Sequence, residues 1–88
     1  IYVADSGNHR VMKWLSEASE GTVVAGTTGT SGSATNQLSY PYGIDIDSSG
    51  NIYVADSGNH RVMKWLSDAS EGTVVAGTTG TSDQQQIN

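Results

Sequence analysis

With 88 residues, nine acidic against four basic side chains and no cysteine, the chain has room for one small domain and no disulfide to reinforce a thin core, and its compartment stays open. A net charge of −5 weighs against broad attraction to phosphate backbones, so nucleic acid ranks low among partners. No apolar run approaches the ~20 residues that span a bilayer and no basic-then-apolar leader is visible, so the expectation is a soluble piece without a membrane partner.

The chain opens on IYVADSGNHRVMKWLS, and the same string returns at residue 52. A shift of 51 residues superposes Ile1–Ser31 on Ile52–Ser82 with Glu17 against Asp68 as the single difference. Such a period is the mark of a repeat architecture. In chain order, residues 1–31 predict a partial unit and 32–41 a polar crossover. Residues 42–82 predict a full unit, and 83–88 a tail leading toward a further one. Within the full unit, strand A (Tyr42–Asp47) alternates through Ile44 and Ile46. DSSGN supplies a hairpin glycine, and strand B (Asn51–Asp56) alternates through Ile52 and Val54. SGN marks the next turn, followed by strand C (His60–Leu66). Strand D (Thr73–Ala76) comes after an acidic link. WLSEASEG has enough polar character for one helical turn, but Gly21 ends it and Val23–Val24 resume strand chemistry. The partial unit then reads as strands B, C and D.

The expected fold is all-β, made of four-stranded antiparallel meanders of propeller-blade size, about 40–50 residues each. One such unit exposes faces that only neighbouring units can cover. YPYGIDIDSSGNIYVADSGNHRV resembles the NHL repeat, with its proline-glycine lead-in, aspartate-glycine-asparagine turn and ADSGNHR-type turn; the likeness covers Tyr40–Leu66 as a full motif and Ile1–Leu15 as its second half. In all, the chain would supply about one and three-quarter blades. Met12–Lys13 and Met63–Lys64 depart from the usual pattern, in which an apolar residue more often precedes the aromatic. The resemblance implies β-propellers, commonly six-bladed, serving as interaction scaffolds, in some relatives as RNA-binding surfaces and in a few as enzymes. A six-bladed ring needs roughly three times this length, so the expectation is a window from a longer array or a piece that completes a ring with other copies of itself.

Antiparallel geometry assigns the loops to two ends. One end gathers Glu17, Glu20, Asp47, Asp68 and Glu71. The other gathers Asp5, Asn8, His9, Arg10 and the crossover Thr27–Ser39, and there a partner would find mixed donors and acceptors. The candidate binding residues are Asn8, His9 and Arg10 with their repeats Asn59, His60 and Arg61. Structural roles fall to Asp5 and Asp56 as ion-pair partners of the arginines, to the turn glycines Gly7 and Gly58, and to Trp14 and Trp65 as packing between blades. A stacking platform for a sugar or base is the weaker reading of the tryptophans.

Asp45, Asp47, Ser49, Gly50 and Asp56 fall at calcium-loop spacing, but the alternation of Ile44 and Ile46 puts Asp45 on an extended strand, and the last ligand is Asp where the loop wants Glu. The histidines lie one blade apart, too few to converge on a metal. Asp5, Ser6 and His9 have the residue types of a hydrolytic triad squeezed into one turn. Gly26–Gly32 has no lysine after it, so it is not a phosphate-binding loop. The sequence therefore carries no metal, cofactor or catalytic assignment. The expected function is a non-catalytic scaffold for protein or glycan recognition. Alternatives are a designed or reconstructed fragment whose activity is self-assembly, and a piece of a propeller enzyme.

Overall fold

The computed structural model describes residues 1–80; the expected tail at 83–88 lies outside them. Two antiparallel sheets form. β1 (Tyr2–Asp5), β2 (Arg10–Lys13) and β3 (Thr22–Gly26) make the first, while β4 (Pro41–Ile46), β5 (Ile52–Asp56), β6 (Arg61–Trp65) and β7 (Gly72–Gly77) make the second. Spatial order follows chain order in both, so each sheet is a meander. The fold is all-β, as expected: propeller-type blades that do not close a ring within the described residues.

Side-chain chemistry fixes the turns. Between β4 and β5, the Asp47 carboxylate accepts the Ser49 and Asn51 amides, each at 2.9 Å, and Gly50 turns the chain at φ +85°. Between β5 and β6, Ser57–Asn59 makes a single 3-10 turn, after which His60 sits in the left-handed region at φ 56°; Ser6–Asn8 and His9 repeat this between β1 and β2. The acidic link is a turn rather than a helix. Ala18 and Ala69 donate to Leu15 and Leu66 at 3.1 and 2.9 Å, and Glu17 and Asp68 adopt positive φ.

Register sorts each blade into two unlike faces. Ile52 pairs with Trp65 and Val54 with Met63, while Ile46 and Ile44 stand opposite Ile52 and Val54. These residues form the front of the second blade, with Ile52, Val54, Met63 and Trp65 all buried. The first blade meets them with its other side, its back, where Val11 pairs with Ala25 and both are buried. Leu38, from the crossover, completes the shared core at 0% exposure. The hydrophobic effect therefore acts between blades: front and back shield each other from water.

Gly26 and Gly77 let the last strand of each blade reach the left-handed corner beside it. Both have φ +85°, and a Cβ there would sit 2.4 Å from the carbonyl oxygen of His9 or His60. Backbone atoms cannot yield. Gly26→Ala is expected to cost about 2–3 kcal/mol in urea denaturation, whereas Gly7→Ala, with open space around the same construction, should change stability by less than about 0.5 kcal/mol.

Candidate functional site

The repeated turn Asp-Ser-Gly-Asn-His-Arg occurs in two settings. In the second blade the Asp56–Arg61 ion pair, 2.7 Å, is buried, with side chains 0% and 1% exposed. All five guanidinium donors are used: Nε reaches Asp56, Nη1 reaches the Ser33 carbonyl and Thr79 hydroxyl, and Nη2 reaches the Ala34 and Gln37 carbonyls. Asp56 also accepts the Ser39 amide at 2.7 Å, while the Asn59 side-chain amide donates to Asp56 and to the Gly32 carbonyl. The corner is thus a clamp that grips the crossover.

Gly58 belongs to the clamp. Its amide donates to the Ser39 carbonyl at 2.8 Å, and a Cβ would collide with Ser39. Asp56, Gly58, Asn59 and Arg61 together fix residues 32–39 over the blade. Any ligand reaching Asn59 or Arg61 would first have to lift that segment.

In the first blade the same letters lie open. Asp5 and Arg10 pair at 2.8 Å with side chains 31% and 22% exposed, and Arg10 also donates to the Thr28 hydroxyl. Asn8 donates to Asp5, and that bond together with the Arg10 bond holds the Asp5 carboxyl below its ordinary pKa. Asn8 and Gly7 are exposed. His9 accepts the Tyr40 amide at Nδ1, 3.1 Å, leaving its ring proton on Nε2, and its ring meets the Tyr40 ring edge-on at 4.4 Å between centroids. Tyr42, 84% exposed, and the exposed His60 complete this end of the molecule.

Asp5, Ser6 and His9 do not form a relay. The Ser6 hydroxyl donates to the Pro41 carbonyl, His9 takes the Tyr40 amide, and Asp5 serves Asn8 and Arg10. The calcium-loop positions do not converge either, since Asp47 closes the turn before β5 while Asp56 ends that strand about 15 Å away. Trp65 is buried between the blades at 1% exposure; Trp14 is partly exposed on the front of the first blade.

At the acidic end a cleft of about 420 Å³ opens between the blades, with Lys13 and Asp68 as its charged lining residues. Lys13 lies over the Tyr2 ring at 5.6 Å. The crossover, expected at the opposite end, reaches this one. Glu71 accepts the Thr35 hydroxyl, and the Gly72 amide donates to the Thr35 carbonyl at 2.8 Å, so the crossover runs across the blade front instead of staying at the far end.

Leu38 and the crossover carbonyls were not among the sequence-derived site residues. A lone apolar side chain within a polar run was their one signal.

Paired meanders, packed front to back and clamped by a turn-borne ion pair, define a propeller-type repeat scaffold. The family model for the NHL repeat matches residues 38–65. The chain thus carries an NHL repeat, the repeat its sequence resembles, and the match begins at the crossover leucine that plugs the core. No curated protein matches the chain.

Identical peptides in unlike settings make a direct comparison. Asp56→Asn removes the charge facing a buried guanidinium and should cost about 3–5 kcal/mol, while Asp5→Asn should cost at most about 1 kcal/mol, both read from urea midpoints.

Acid should act through Asp47 and Asp5. The Asn51 backbone amide is the largest cause lowering the Asp47 pKa, joined by the Asn51 side chain, Ser49 and Tyr53, and the Asp5 pKa is lowered too. Groups depressed in the folded state contribute fully above the unfolded carboxylate value, about 3.9, and lose that contribution as pH falls through the folded value. Unfolding midpoints should therefore hold from about pH 7 to 5 and drop below about pH 4. Asp47→Asn should make that acid limb shallower.

Proposed function

We propose that these blades belong to a non-catalytic scaffold whose recognition surface is the end where the Ser-Gly-Asn turns meet the crossover, with protein segments favoured over glycans as ligands. The observation that carries the reading is the exposed Tyr40, Tyr42 and His60 around the half-buried His9, set beside the exposed Asn8 and the half-buried Arg10. Tyrosines supply large contact area at low entropic cost and keep a polar tip for hydrogen bonding, and arginine adds a directional donor; these are residues enriched at protein interfaces. The clamp beneath holds the backbone of this surface in place, so its side chains are presented from a rigid frame. The separate engagements of Asp5, Ser6 and His9 support the non-catalytic part of the reading.

The test is a selection from a displayed random-peptide library, run in parallel with a glycan array. The wild type is compared with a triple variant carrying Tyr40→Ala, Tyr42→Ala and His60→Gly, the glycine suiting the positive φ at that position. Peptides enriched by the wild type should bind the variant at least about tenfold more weakly, with the thermal midpoint kept within a few degrees. Equal enrichment by both proteins would reject the surface, and turnover of chromogenic ester, phosphoester or glycoside substrates would reject the non-catalytic assignment.

A further inference from the structure

Among the described residues, the blade-to-blade interface uses half of what the sequence provides. It consumes the back of the first blade, Val11 and Ala25, and the front of the second, Ile52, Val54, Met63 and Trp65. Because Ile1–Ser31 repeats Ile52–Ser82 apart from Glu17 and Asp68, the front of the first blade carries the same residues as the buried front of the second. There Ile1 is 83% and Val3 43% exposed, against 4% and 0% for Ile52 and Val54, and Trp14 is half-buried, while Met12, the counterpart of Met63, is buried in both settings. The back of the second blade likewise duplicates the buried back of the first. Val62 and Ala76, the counterparts of Val11 and Ala25, are only partly covered, and Val75 is exposed.

We propose that a second copy of this chain docks head to tail, seating the back of its second blade on the front of the first blade. The occupant follows from the interface already present. Two surfaces that fit each other within one chain exist again, uncovered, on its opposite sides, so a copy placed by the same blade-to-blade operation meets a matching face. The contact is heterologous, joining unlike faces, and each docked copy offers a further front and back. The open corner at Asp5, Asn8 and Arg10 lies on the same side of the first blade as the uncovered apolar face, as register requires: Asp5 and Val3 alternate with Ala4 along β1, and Arg10 and Met12 with Val11 along β2. Contact is smaller than inside the chain, since the first blade has no strand matching β4, lacks what Ile44 and Ile46 add to the second, and meets no described residue of the docked copy that matches Leu38.

Directionality gives a test that general stickiness cannot imitate. Sedimentation velocity of the 88-residue chain from about 1 to 200 µM should show species growing with concentration. Val3→Glu blocks the front and Val62→Glu the back, with Val75→Glu as a second back variant if Val62→Glu fails to fold. Each variant alone should remain monomeric with a wild-type circular dichroism spectrum. Mixed in equal amounts, a front-blocked and a back-blocked chain should form a one-to-one complex and stop there, because the two surviving faces are consumed and both outer faces are blocked. A wild type that stays monomeric throughout, variants that associate as the wild type does, or a mixture of folded variants that stays monomeric would each overturn the proposal.

Discussion

A guanidinium removed from water is tolerable only when every donor finds an acceptor and its charge finds a counter-charge. Arg61 meets both conditions through Asp56, three crossover carbonyls and the Thr79 hydroxyl. The rest of the arrangement depends on this. Polar crossover chain could not lie across a blade without partners for its own backbone groups, and Arg61, Asn59 and Asp56 are those partners. With the crossover fixed, Leu38 is delivered into the core between the sheets. The apolar seal and the ionic clamp are therefore two parts of one joint, the first supplying burial and the second setting where the connecting chain runs.

The two copies of the turn separate sequence from setting. Their backbones agree closely, as the left-handed His9 and His60 show with the same φ of 56°, so local chemistry alone shapes the corner. What differs is coverage. Where a crossover lies over the corner, the ion pair is desolvated, the glycine must stay small and the asparagine bridges two segments. Where none does, the same residues form an exposed hydrogen-bonded cluster with room for a Cβ at Gly7. The motif letters specify a socket, and the neighbouring segment decides whether the socket becomes structural.

Much of the fold is legible in the sequence. Alternation of Ile44 with Ile46 and of Ile52 with Val54 located β4 and β5 because one side of each strand is buried and the other is not, and DSSGN and SGN marked turns that need a side-chain acceptor or a positive φ. The expected strands lie within about a residue of those observed at each end, the usual uncertainty of such boundaries. The crossover was less legible. Residues 32–37 have no periodicity, and their path depends on acceptors contributed by backbone carbonyls, which every residue carries and no letter announces. For the same reason the contact between Thr35 and Glu71 could not be anticipated. Antiparallel geometry places loop ends, but it does not say that a long connection will turn across the sheet. The site was legible in residue type and incompletely so in role: Asn59 and Arg61 look identical to Asn8 and Arg10 until burial distinguishes them.

The division of labour follows from how a repeated scaffold can evolve or be used without unfolding. Changes at Asp56, Gly58, Asn59 or Arg61 would release the crossover, leave a buried charge or polar group unmet, and open the core at Leu38. Changes at Tyr42 or His60 touch neither the clamp nor the seal, because these side chains project outside the polar ring that holds the chain in place. Variation is therefore inexpensive on the proposed recognition surface and costly directly beneath it. Exposed loops on a rigid frame are the usual location for binding residues for this reason. Here the frame is a single arginine's hydrogen-bond shell with a leucine beside it, and the adjacent blade supplies the apolar wall that makes the shell dry.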